Sequence, residues 1–200
     1  VAVGMDIYAP FLVPDTFQTS AYRAAKDRIF YPARSADEHE LAARLLRERA
    51  SRLIGKHGPH MRIVVEERAL RTPEARSDPS GEHDQYAQLR LIIDGLKRLN
   101  TARQELPPGS ELNPNITIQV EPLTSGTHPL CRCAHTLLHM SNRPHAAVYV
   151  QNPAGRYETF YPNPAEHTIE QQTFSRLLDM LPGPEKTDEI LDNILASFPS

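Results

Sequence analysis

The sequence predicts an α/β (α+β) chain, helices packed on a small mixed or antiparallel sheet, and two observations carry that expectation. Leu89, Ile92, Ile93, Leu96 and Leu99 fall on one stripe of a 3.6-residue period, whereas Ile116, Ile118 and Val120 alternate with Thr117, Gln119 and Glu121 in the period-two pattern of a strand. Segments of the two kinds are separated by clusters of proline, glycine and short polar residues, 18 of the 200 residues being proline. A chain of this length fits one domain, residues 1–200, with 40% hydrophobic and 24% charged residues, enough of each for a core and a hydrated surface. No internal repeat is present.

From the N-terminus, Asp15 with Gln18 three residues on gives a reciprocal cap, predicting a short helix from there to about Arg28. Ser35 with Glu38 repeats the signal and opens a helix through about Ile54, with Ala42, Leu45, Leu46, Ala50 and Leu53 near one face. Gly55 and Gly58-Pro59 end it. Met61–Val65 is short, branched and bounded by breakers, a strand. A loop through 77–81 leads to the helix carrying Leu89–Leu99, and the proline-rich stretch 106–114 is a surface connection. The strand at 116–120 has one dry face and one that is wet or lines a pocket. Further strands at about 134–140, 147–151 and 157–161 form an antiparallel hairpin series, with turns at 141–144 and Gly155. Asn163, Pro164 and Glu166 are in the correct order to start a helix bearing Ile169, Phe174, Leu177, Leu178 and Leu181. Pro182-Gly183-Pro184 breaks it, and a last helix presents Ile190, Leu191, Ile194, Leu195 and Phe198.

Composition excludes several function classes. The opening residues lack the basic start and apolar run of an export signal, and no apolar stretch is long enough to span a bilayer, so a cytoplasmic protein without membrane contact is expected. A net charge of -3 argues against direct nucleic-acid contact by the domain. The charge is nevertheless uneven, basic over residues 21–71 and acidic over 157–200, which either orients a partner or marks two solvated helix faces.

Cys131, Cys133, His135 and His139 are the right residue types for zinc, but their spacing opposes it. On an extended chain residues two apart lie about 7 Å apart and residues four apart about 13 Å, too far to converge on one ion. No metal and no cofactor is therefore expected, and the cysteines read as free thiols of a reducing compartment. Glu66 and Glu67 follow a strand but point opposite ways, so they do not form an acid/base pair on one bond. Either one could instead bind a ligand or organise a loop. Residues 124–129, Thr-Ser-Gly-Thr-His-Pro, lack the endings of a phosphate loop and the hydrolase elbow, leaving a ligand-facing loop or a local turn. Tyr149, Gln151, Tyr157 and Tyr161 combine aromatic area with polar handles and suit a pocket wall, or cover the sheet beneath a helix.

Four stretches in order, YAPFLVPDTFQTSAY from residue 8, RIVVEERALR at 62–71, NITIQVEPLTSGTHP at 115–129 and AAVYVQN at 146–152, give the chain a familial look. It resembles the C-terminal domain of unknown function found behind an Xre-type helix-turn-helix in actinobacterial transcriptional regulators. The resemblance implies a domain that binds an effector or a small protein partner often encoded beside it. It places that family's recurrent strand-loop glutamate at Glu67 and keeps its Pro-Leu-Thr-Ser-Gly-Thr-His-Pro turn. The glutamate that follows the family's Val-Tyr-Val strand is replaced here by Gln151. Only seven residues precede Tyr8, so the DNA-reading helices are absent from this chain, which is either part of a longer regulator or a stand-alone member.

These readings together predict a regulatory domain whose small-molecule effector or small protein partner meets Glu67, Thr127, His128, Tyr149, Gln151 and Tyr157 at one end of the sheet. The alternative is a stand-alone biosynthetic enzyme of acid/base or cyclisation chemistry, with His128 and Glu67 as the candidate catalytic groups.

Overall fold

The computed structural model describes residues 2–71, 85–104, 109–131, 134–141, 148–151, 157–160 and 164–199. Six strands, β1 (Ala2–Ala9), β2 (His60–Glu66), β3 (Ile116–Glu121), β4 (Ala134–Met140), β5 (Val148–Gln151) and β6 (Tyr157–Phe160), form one mixed sheet in the order β3-β2-β1-β4-β5-β6. β1, β2 and β3 are mutually parallel, and β4, β5 and β6 continue from β1 as an antiparallel series. The helices are α1 (Ser20–Phe30), α2 (Ala36–Ile54), α3 (Glu67–Arg71), α4 (Gln85–Gln104), α5 (Pro164–Met180) and α6 (Thr187–Ala196). The chain is thus an α+β fold with a mixed sheet, as its periodicities predict. No helix among the described residues is long and apolar enough to cross a membrane.

The central strand, β1, is not among the predicted elements. Residues 4–9 are all buried, so β1 has no wet face, and the alternation of Met5 and Ile7 with Asp6 and Tyr8 spans only four residues beside Gly4. The first helix also begins later than its sequence signal. Asp15–Phe17 form a 3-10 turn, and α1 starts after Thr19, whose Oγ1 accepts the Tyr22 N–H at 3.1 Å. A competing cap four residues downstream wins, and the Asp15 carboxylate instead takes Lys26 Nζ at 2.8 Å. At α2 the capping box is complete, Ser35 N–H to Glu38 Oε2 at 2.8 Å and Glu38 N–H to Ser35 Oγ at 3.3 Å. Its apolar stripe is shallow: Ala42, Leu46, Ala50 and Leu53 are half-buried, while Leu45 is exposed.

The two faces of the sheet are chemically unlike. Met5, Ile7, Met61, Ile63, Val65, Ile116, Ile118 and Val120 form a dry face packed against Leu89, Ile92, Ile93, Leu96 and Leu99 of α4 and Leu191 and Ile194 of α6. Burying each such side chain contributes about 1.5–3 kcal/mol, which makes this the main core. The opposite face carries Asp6 and Tyr8 on β1, Arg62, Val64 and Glu66 on β2, and Gln119 and Glu121 on β3, aligned by the strand register. α5 lies over it, its Phe174 and Leu177, with Leu181 just beyond, clustering with Tyr8, Val64 and Leu130. The polar side of β3 is therefore not wet: Gln119 and Glu121 are buried, and Gln119 Nε2 donates to the carbonyls of Leu178 (3.1 Å) and Pro182 (3.0 Å) at the end of α5. The predicted loop at 77–81, the turn residues 142–144, Gly155 and the Asn163 cap lie outside the described residues.

Candidate functional site

Because β1, β2 and β3 are parallel, their carboxyl ends share one edge, and the antiparallel series brings the starts of β4 and β6 and the end of β5 to the same edge. Glu66 and Glu121 are register partners there, two residues beyond Val64 and Gln119, with Tyr8 opposite Val64. That spacing puts Tyr8, Glu66 and Glu121 on one face. The fourth member, His128, arrives from the loop after β3. Ser125 N–H to Pro122 C=O (3.0 Å) closes a turn that Gly126 exits at φ +79°, a left-handed conformation glycine adopts without strain. A second turn, Cys131 N–H to His128 C=O at 3.2 Å, folds the loop back.

These four side chains form a closed hydrogen-bonded cluster. The Tyr8 phenol donates to Glu66 Oε1 (2.5 Å), lies 3.1 Å from Glu121 Oε2 and 3.2 Å from His128 Nε2. His128 Nε2 is 3.0 and 3.2 Å from the two Glu121 oxygens. Its Nδ1 accepts the Leu130 N–H at 3.2 Å, which fixes the tautomer: Nδ1 is the acceptor, so Nε2 carries the proton toward Glu121. The Tyr8 and His128 rings meet edge to face with centroids 5.2 Å apart. Tyr8 is fully buried and Glu121 nearly so, whereas Glu66 is half-buried and forms the edge of the cluster.

Burial, then the hydrogen bond to Glu66 and the nearby Glu121 charge, pushes the Tyr8 phenol well above its ordinary range, so it stays protonated. Burial and the Glu121 charge push the Glu66 carboxyl up, against the bond from Tyr8. Two proton arrangements fit the same heavy atoms. With Glu66 ionised, Tyr8 O–H points to Glu66. With Glu66 protonated, Glu66 O–H points to Tyr8 and Tyr8 O–H turns to Glu121. The cluster can therefore carry a proton from a half-exposed carboxyl to a buried one, but it offers no activated nucleophile.

A second polar rung lies one step back along β1. Arg62 clasps Asp6 with two bonds, Nε to Oδ1 at 2.7 Å and Nη2 to Oδ2 at 2.6 Å, and His139 Nε2 lies 2.8 Å from Oδ2. His135, beside Tyr8 in the β1–β4 register, faces Glu170 of α5 at 3.5 Å; burial lowers its pKa against the pull of Glu170 and Asp6. Thus two of the four residues considered for zinc serve other partners. No group of three or more metal-ligating side chains occurs among the described residues, which do not include Cys133.

The predicted site residues separate. His128 joins the cluster. Glu67 does not: as the first residue of α3 it pairs with Arg71 and accepts the Leu123 N–H at 3.0 Å, pinning the loop after β3. Thr127 is exposed on that loop. Gln151 pairs with Ala134 and Tyr157 in the sheet, placing those backbones at the same edge, and Tyr149 pairs with Thr136 and Thr159, two residues farther in. Sequence reasoning missed Tyr8, Glu66 and Glu121 as members. The available signal was the position of Glu66 and Glu121 at the carboxyl ends of two strands with parallel register, which becomes visible only once the strand order is known.

Residues 2–100 match the family model of a domain of unknown function, DUF5753. No curated protein and no solved structure matches the chain. The match spans β1, β2 and α1–α3 and most of α4, so Tyr8 and Glu66 lie inside it and Glu121 and His128 beyond it.

Proposed function

We propose that this chain is the effector- or partner-binding domain of a transcriptional regulator, without DNA-reading helices of its own, and that recognition takes place at the carboxyl edge of the parallel strands. One observation carries the reading: Tyr8, Glu66, Glu121 and His128 are gathered at that edge but spend their polar groups on one another. Open α/β sheets bind ligands at this edge, and a saturated cluster with one half-exposed carboxyl suits recognition and response better than bond making. A ligand donor or cation reaching Glu66 would draw its charge outward and release Tyr8 toward Glu121. That rearrangement moves the His128 loop, which is held by Leu130 N–H and, through Leu123, by Glu67.

The test is native mass spectrometry of the chain purified from its own cells, wild type beside Glu66→Gln and His128→Ala. A stoichiometric small molecule or small protein retained by the wild type and lost from both folded variants is the expected result. A retained ligand held equally by all three, with contacts mapped to the opposite edge of the sheet, would overturn the placement. The second reading, an acid/base enzyme, is favoured by the raised Glu66 carboxyl, a proton donor within reach of solvent; it requires turnover of the retained molecule.

A further inference from the structure

The chain order reverses between β1 and β4: from β1 the parallel strands run outward to β2 and β3, and β4 then returns to β1's other side. Loops diverge at such a switch point and leave a crevice. At the β1–β4 boundary this crevice is a cavity of about 80 Å³ whose lining also includes Tyr8 and His135. Its floor is apolar, including Met5, Ile7 and Val13, and its polar lining includes Thr136, Gln18 and Arg49 of α2.

Two of these groups are unspent and complementary. The Gln18 amide donates from Nε2 to the Val13 carbonyl at 2.6 Å, which fixes its orientation. Its Oε1 is left buried with no donor among the described residues. Arg49 is exposed and has no carboxylate within 4.0 Å among the described residues, its α2 neighbour Arg47 being the one that pairs with Glu40. The carboxylate of Asp15, also on the cavity wall, is met by Lys26 Nζ at 2.8 Å, so it does not repel an anion there. The site therefore offers an apolar floor, one fixed acceptor and one free cation.

We infer that the β1–β4 cavity binds a short-chain carboxylic acid bearing a hydroxyl or amine, with the acid on Arg49, the donor on Gln18 Oε1 and the carbon chain over Met5 and Ile7. The inference rests on the reading of the chain as a ligand-binding domain but uses a different set of side chains, so the two stand or fall separately.

Met5 provides the reporter. In a titration of ¹³C-methionine-methyl-labelled full chain with 3-hydroxybutyrate, the Met5 methyl signal is expected to shift saturably. Butyrate, which lacks the donor, and 1,3-butanediol, which lacks the acid, should each bind about tenfold more weakly or less. Arg49→Gln, a surface change, should weaken 3-hydroxybutyrate by about tenfold, and Gln18→Leu should abolish its advantage over butyrate. No saturable shift at Met5, or an affinity unchanged in Arg49→Gln, would overturn the inference even if Gln18→Leu fails to fold. The Met5 response should persist in Glu66→Gln and His128→Ala. Its absence beside a retained ligand that those variants lose would remove the cavity site and leave the proposed function intact.

Discussion

Replacing Asp6 by Asn should cost the fold about 3 kcal/mol at neutral pH. Asp6 is 1% exposed, in the middle of the central strand, and its two oxygens receive both Arg62 donors and His139 Nε2. Asparagine keeps the shape but has one acceptor oxygen and turns an amide donor toward a donor. Breaking a buried pair from one side typically costs about 3–5 kcal/mol; the lower end applies because Arg62 is 26% exposed and can recover some hydration. For a chain of this size each kcal/mol corresponds to about 2–4 °C, so Tm should fall by about 6–12 °C. The pH dependence makes the test sharper. Burial alone would raise the Asp6 carboxyl, but the bonds from His139 and Arg62 and their charges outweigh it and hold the group below its ordinary value. Its stabilisation is therefore fully present above the unfolded value near 3.9 (roughly) and is lost as pH falls through the lower folded value. Urea unfolding of both proteins from pH 7 down to pH 3 should show the difference shrinking below about pH 4. A difference under about 1 kcal/mol at pH 7, or one that stays constant into acid, would refute the reasoning.

Tyr8→Phe keeps a fully buried ring and removes one oxygen from between two carboxylates. It should destabilise by about 1.5–3 kcal/mol in urea unfolding and speed exchange of the Leu130 amide, and unchanged stability would show that the cluster is not held through the phenol. For Glu66→Gln the pH sign is opposite to that of Asp6. Because the folded Glu66 carboxyl is raised, the wild type loses stability as pH climbs from the unfolded value through the folded one. The variant should therefore gain on the wild type across that window and hold a constant difference above it; a gap that widens in favour of wild type with rising pH would exclude a raised carboxyl.

What was legible in the sequence followed one rule. Elements with chemically unlike sides announce themselves through period when the run is long enough, so α4, β3 and β4 lie where alternation and helical stripes place them, and the Ser35–Glu38 box marks the start of α2. β1 carries only a four-residue version of that signal, Met5 to Tyr8, beside Gly4. The site was half legible for a related reason. His128 stood out because a histidine in a hydroxyl-rich loop is chemically conspicuous, but its partners are a tyrosine and two glutamates at sequence separations of 120, 62 and 7 residues. Only the parallel register brings them together. The choice of Glu67 over Glu66 turned on which of two adjacent, oppositely directed carboxylates faces the sheet, and that is decided by the phase of β2: Arg62, Val64 and Glu66 share the α5 side.

The feature that hides β1 is also what positions it. A strand buried on both sides has no solvent-facing side to set its phase, so burial by itself defines its register weakly. Asp6 and Tyr8 remove that ambiguity. Slipped by one residue, both would enter the face lined by Ile63, Val65, Ile118 and Leu96, away from Arg62, His139, Glu66 and Glu121. In register, each finds its partners on β2, β3, β4 or the loop after β3. The polar residues beneath α5 are thus part of the folding instruction as well as the candidate site, and this ties the two: substitutions that empty the Tyr8 cluster act on the strand at the centre of the sheet. Folding must therefore be checked alongside binding in every variant of Tyr8 or Glu121, whereas Glu66, at the half-exposed end of its strand, can be changed with the register intact.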